Sequence, residues 1–93
     1  MIRVTLVGMV KDNDGYRQAK PQDTANVLFF TGANPRGDIS QYFCAEHKNG
    51  IWVLKTLKGT YPLKKDGEEY KCVVNNIHIT LKPKKIVAHL SWE

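Results

Sequence analysis

Most of the devices by which small proteins stabilise themselves or carry out chemistry are scarce in this chain. Only two of its 93 residues are cysteine, Cys44 and Cys72. That is too few for the dense disulfide framework of a small secreted domain. No Asn-x-Ser/Thr glycosylation acceptor occurs. No apolar run approaches the roughly 18 to 20 residues of a membrane span. The opening Met1 to Val10 carries Arg3 and stops at Lys11 without the small-residue cleavage site of a signal peptide. An intracellular, cytoplasmic protein with no membrane partner is therefore expected. Helical periodicity is nearly missing too. The one stretch that offers it is Trp52 to Lys58, followed by Gly59 as a C-terminal cap, and seven residues make a marginal helix.

Catalytic signatures are equally thin. There is no Gly-x-x-x-x-Gly-Lys-Ser/Thr phosphate loop, Gly-x-Ser-x-Gly elbow or His-Glu-x-x-His pair. Cys44, His47, Cys72 and His78 supply zinc-ligand types without the tight knuckles of structural zinc sites. Alternation along one strand would also put Cys44 and His47 on opposite faces. Small core cysteines and rim histidines are the simpler reading, so neither enzymatic activity nor a metal or cofactor is expected. Arg36-Gly37-Asp38 reads as a polar turn and Lys82-Pro83-Lys84-Lys85 as a basic hairpin tip.

What the chain does have is period-two alternation. Ile2, Val4, Leu6 and Val10 alternate with Arg3 and Thr5 in a β-branched segment, which fits a first strand. Residues 11–25 are polar and read as a long loop or loose hairpin end. Val27 to Thr31 is a strand with no polar side, and Gly32 to Asp38 is a turn-rich connection. Asn49-Gly50 between two apolar alternations is a strong hairpin signal, since a type I′ turn needs positive φ at both positions. That hairpin places Phe43, Ala45, Trp52 and Leu54 on one face, which looks like core. Tyr42, Cys44, Glu46, Ile51, Val53 and Lys55 fall on the other. A second hairpin turning at Asp66-Gly67 would oppose Lys64 to Glu69, Leu63 to Tyr70 and Tyr61 to Cys72. Pro62 cannot donate a ladder hydrogen bond, which sends its strand to an edge or a bulge. Asn75-Asn76 reads as a bend or bulge, and Ile86 to Leu90 as a last strand. The expected fold is all-β, a small five-stranded OB-like barrel with at most one short helix, spanning residues 1–93 as one domain. Closure hides the strand edges.

Charge and aromatic content point to a partner. Lys plus Arg number 14 against 9 acidic residues, a net charge of +5. Cations interleaved with rings on strands suit single-stranded nucleic acid, because cations follow phosphates and flat rings stack on unpaired bases. The expected contact residues are Arg3, Phe30, Arg36, Tyr42, Lys48, Trp52, Lys55 and Lys71. For any one of these rings a place in the core competes with stacking, and a surplus of five charges also suits plain solubility. Duplex readout would need a recognition helix, which the pattern does not provide.

Three segments resemble the bacterial and phage single-stranded DNA-binding proteins of the OB-fold type, a group that includes primosomal replication protein B. Arg3-Val4-Thr5-Leu6-Val7-Gly8 is similar to their first strand. Gln41-Tyr42-Phe43-Cys44 falls where they carry an aromatic third strand. Lys65-Asp66-Gly67-Glu68-Glu69-Tyr70 followed by Val73-Val74-Asn75-Asn76-Ile77 is similar to their last hairpin. The short connection between the second and third strands and the reduced capping helix depart from the pattern. So does the ending Ser91-Trp92-Glu93, with no acidic tail, and tail-mediated capture of replication enzymes is not expected. Filamentous-phage proteins of this kind are similar in length and in the opening Met1-Ile2-x-Val4. The resemblance implies binding of single-stranded DNA or RNA with little sequence preference, in replication or recombination, by a dimer or larger assembly. Replication or host proteins would be further partners. The competing expectation is a phage- or plasmid-encoded accessory factor or inhibitor that binds protein through an exposed apolar strand surface.

Overall fold

A computed structural model describes residues 1–30, 42–56 and 58–93, with the backbone alone at Tyr42. The first strand, β1, runs from Ile2 to Asp12. Its alternation decides its faces: Leu6 and Gly8 are buried while Arg3, Thr5 and Val7 are exposed. Among the described residues nine further strands follow: β2 (Gly15–Gln18), β3 (Val27–Phe30), β4 (Tyr42–Lys48), β5 (Ile51–Thr56), β6 (Gly59–Pro62), β7 (Lys64–Asp66), β8 (Glu69–Val74), β9 (Ile77–Lys82) and β10 (Val87–Trp92). Among the described residues there is no helix, so none long and apolar enough to cross a membrane. The strands join antiparallel in the order β6-β5-β4-β3-β1-β10-β9-β8-β7, with β2 paired to β1 off this path.

The sheet curls into a nearly closed barrel. Its two end strands are joined through Leu63, whose N–H extends the β5–β6 ladder by donating to the Trp52 carbonyl at 2.9 Å, and β6 comes against β8 at the seam. The Trp52 ring lies 6.4 Å from that of Tyr70 across the same seam. The interior is filled by alternate residues of the strands, with Phe29 stacked on Phe43 at 5.0 Å and Leu54, Ile79, Leu81, Ile86 and Leu90 sealed around them.

The all-β barrel class is the one read from the sequence. Among the described residues ten strands stand in place of five, and their path is an antiparallel meander, not the Greek key of a five-stranded OB barrel. Tight turns interrupt the alternation more often than expected, while β1, at 11 residues, outlasts its expected end at Val10. Asn49-Gly50 forms the expected two-residue turn, φ 52° and 79°, between Lys48 and Ile51. It buries Phe43, Ala45, Trp52 and Leu54 together, as alternation required. Asn75-Asn76 is a second such turn, φ 50° and 66°, between Val74 and Ile77, where a bend or bulge was expected. Asparagine tolerates the left-handed region well enough to do what Asn-Gly does.

The register of the second hairpin moves by two residues. Its loop is Gly67-Glu68, so Asp66 faces Glu69, Lys65 faces Tyr70, and Lys64 faces Lys71 in place of Glu69. Gly67 takes φ +66° at the first loop position, the place where a type II′ turn requires glycine. Tyr61 pairs with Leu54 of β5, not with Cys72. Residues 15–18 of the expected loop form β2, because Asp12 and Asp14 close a tight turn through an Asp14 N–H to Asp12 Oδ1 bond of 2.9 Å. Residues 51–56 are strand, not helix. Pro62 ends β6, an edge strand as its missing donor demanded. The last strand, expected over Ile86 to Leu90, runs from Val87 to Trp92 and is interior, with β1 and β9 on its two sides.

Candidate nucleic-acid interface

The expected contact residues divide between the barrel interior and two outer surfaces. Trp52 belongs to the interior. It is only 4% exposed, between the rings of His47 at 5.2 Å and Tyr70 at 6.4 Å. Its alternation with the outward Ile51 and Val53 drives it into the core, so it offers no face to a base, and the stacking role expected for it is withdrawn. Arg36 lies outside the described residues.

On the outer surface of β3 to β5, Phe30 stands opposite Tyr42 in register. The Phe30 ring, 39% exposed, meets Tyr16 edge-to-face with centroids 5.5 Å apart. Lys48 and Lys55 are on the same surface. Both turn to Glu46, with Lys55 Nζ 2.5 Å and Lys48 Nζ 3.1 Å from its carboxylate. Hydrogen bonds from Lys55 and then Lys48 hold the Glu46 carboxyl below its ordinary value, against the cost of its burial. One buried carboxylate thus takes up much of the positive charge beside the exposed rings.

The surface made by β1, β10, β9, β8 and β7 carries the other two, Arg3 and Lys71. Its outward residues line up in rows that the registers fix. One row crosses five strands as Lys64, Lys71, Thr80, His89 and Thr5, and the next runs Val73, His78, Ser91 and Arg3. Thr5 Oγ1 and His89 Nδ1 are hydrogen-bonded at 2.9 Å, while Arg3 Nε donates to Met1 Sδ at 3.5 Å. A groove of about 910 Å³ lies along this surface, lined by Lys64, Lys65, Lys71, His78, Thr80 and Ser91 among others. Asp66 is the carboxylate in its lining, 2.9 Å from Lys71 Nζ. The hydrogen bond to Asp66 holds the lysine above its ordinary value.

Two directly opposed lysines repel one another. A strand at a sheet end often carries lysine to discourage pairing, which accounts for Lys64 and Lys65 on β7. It does not account for Lys71 of β8 opposite Lys64, or for hydroxyls and imidazoles continuing the row. Such an array can take the oxygens of an anion at several points along a line. Lys64, Thr80, His89, His78 and Ser91 were not among the contact residues expected from sequence. The signal available for them was the corrected register, since with Gly67-Glu68 as the loop Lys64 meets Lys71 and the rows follow by alternation.

The residues considered for zinc do not converge. Cys44 faces outward, with its Sγ 3.8 Å from Asn26 Oδ1, while His47 faces Trp52 inside. Cys72 lies on the inward side of β8, where burial pushes its thiol up to about 11. Among the described residues no three His, Cys, Asp or Glu side chains are grouped to hold a metal ion. No family model, curated protein or solved structure matches this chain.

Proposed function

We propose that the protein binds single-stranded nucleic acid through the groove on β7–β10 and the β1 surface beside it, gripping phosphates with Lys64 and Lys71 in the groove, with Arg3 in the adjoining row, and with the hydroxyl and imidazole groups between them. The observation that carries this reading is the row Lys64, Lys71, Thr80, His89, Thr5, which aligns cations and hydrogen-bonding groups across five strands. Phosphate-led binding has little sequence preference, which suits a role inside the cell in replication or recombination. Self-association, where it occurs, would use the unpaired edge of β6 at Pro62.

Fluorescence anisotropy of a labelled oligo-dT strand at low salt tests this. Binding is expected, and the double substitution Lys64→Ala with Lys71→Ala weakens it by about tenfold or more through lost counterion release. Lys48→Ala, on the other surface, leaves affinity unchanged. Failure of the unmodified protein to bind at low salt removes the reading.

The exposed Tyr16 and Phe30 rings, with Val7 at 43% exposure, favour a second reading in which that surface docks a protein. Phe30→Ala would then abolish capture of a protein partner without altering oligonucleotide affinity.

A further inference from the structure

The phosphate groove runs into a second hollow of about 600 Å³ at the barrel end where β8 turns into β9. Met1, Val73, His78 and Ser91 border both spaces. The second adds Asn76, from the tight turn, and the half-buried Trp92 of β10, whose ring also packs against the core. No lysine or arginine lines this hollow, while the carboxylate-bearing Glu93 does. The charge therefore changes along one continuous surface, from the lysine-rich stretch at β7 and β8 to an aromatic and amide-lined end without lysine or arginine.

From this division we infer that the hollow receives an unpaired base of the same strand whose phosphates lie in the groove, with the Trp92 indole as its stacking surface. The inference rests on the single-strand reading above. A flat ring with an adjacent amide suits a nucleobase, since the π-face stacks while Asn76 offers both a donor and an acceptor to its edge. Tight anchoring keeps the platform in place. Trp92 is opposed to Ile2 in the β1–β10 ladder, and its packing against the core leaves few rotamers open. Trp52 is sealed inside, so a base can reach only one of the two tryptophans directly.

The test compares an oligo-dT strand with an abasic strand of equal phosphate number, following both anisotropy and tryptophan emission at low salt. Oligo-dT is expected to bind at least about fivefold more tightly than the abasic strand, as one stacked base predicts, and to quench the emission. Trp92→Leu, which keeps apolar bulk without a flat ring, brings oligo-dT down to the abasic affinity and abolishes the quench. Trp92→Phe retains most of the difference. Equal binding of the two strands by the unmodified protein overturns the base site while leaving the phosphate groove standing. Absence of binding to either strand overturns both. Because the strand comparison uses the unmodified protein, a Trp92→Leu variant that fails to fold does not blunt it.

Discussion

Gly8 and Ile86 show how a single position can decide whether the barrel closes. A Cβ built on Gly8 would sit 2.4 Å from Ile86 Cγ2 and 2.7 Å from Val27 Cγ1, inside any real contact distance. The close approach lets the Gly8 N–H reach the Ile86 carbonyl at 2.8 Å. Ile86 itself takes φ 49°, which a β-branched residue adopts only under compulsion. Left-handed backbone costs about 1–2 kcal/mol, whereas full burial of an isoleucine contributes about 1.5–3 kcal/mol, and Ile86 is only 1% exposed. Burial wins. Gly8→Ala is therefore expected to lower unfolding free energy by roughly 3 kcal/mol, the upper part of the overpacking range, read as a fall in urea midpoint. Glu46 makes a different residue-level prediction. Its folded carboxyl is held below the ordinary 4.5 by Lys55 and Lys48. A lowered folded value means the contribution is fully present above the ordinary 4.5 and is lost as pH falls from there through the folded value. Unfolding followed from pH 7 to pH 3 should show Glu46→Gln less stable than the unmodified protein at neutral pH, with the gap closing on the acid side. A gap that persists unchanged at pH 3 would refute the ion-pair account.

Hairpins are the unit in which this sequence states its fold, and they show where reading it succeeds. The faces of β4 and β5 follow from alternation alone, whatever the loop length, so the core set Phe43, Ala45, Trp52 and Leu54 was legible. The turn at Asn49-Gly50 was legible because only a few residue pairs accept two positive φ angles. Asn75-Asn76 does the same with a weaker signature, and its turn emerged only from the structure. At Asp66-Gly67 the pairing of Lys64 with Glu69 looked favourable by charge. The chain instead places glycine at the first loop position, and the opposite-charge contact is made by Lys71 with Asp66 at 2.9 Å. Local charge is a weak guide to register because an exposed pair contributes only about 0–1 kcal/mol, less than a turn's backbone demands. The candidate site inherits this pattern. Arg3 and Lys71 were legible as outward cations, Trp52 was legible as core by alternation yet also carried a competing stacking role because core and stacking rings share one composition, and the rows needed the true register. At this scale Asn76→Ala should cost about 1–2 kcal/mol, while Asn76→Gly is neutral or stabilising, both read from thermal melting. Equal losses from the two substitutions would mean that the asparagine side chain, not its φ, holds the turn.

The net charge of +5 is a property of the whole chain, but its effect on a polyanion depends on how the barrel distributes it. Many of the cations already face carboxylates. Arg17 makes a two-pronged contact with Asp23 at 2.8 and 2.9 Å, Lys48 and Lys55 share Glu46, and Lys84 reaches Glu68 at 2.6 Å. A phosphate can claim such a cation only by displacing its carboxylate, which cancels much of the gain. The groove differs because Lys64, Lys65 and Lys71 share its lining with a single aspartate and Arg3 stands in the adjoining row. About three phosphates can therefore be neutralised at the cost of the contacts that Lys71 makes with Asp66 at 2.9 Å and Glu69 at 3.9 Å. Each releases roughly 0.7 counterion for a single strand, so log affinity should fall with log salt at a slope near −2, and a fourfold rise in salt should weaken binding about twentyfold. Removing Lys64 should flatten the slope by about 0.7, whereas removing Lys55 should leave it unchanged. A slope near −6 would mean that the whole basic exterior takes part and that the rows on β7–β10 hold no special place. A slope indifferent to Lys64 but sensitive to Lys55 would move the contact to the other side of the barrel, beside Phe30, where rings and not phosphates would dominate the affinity.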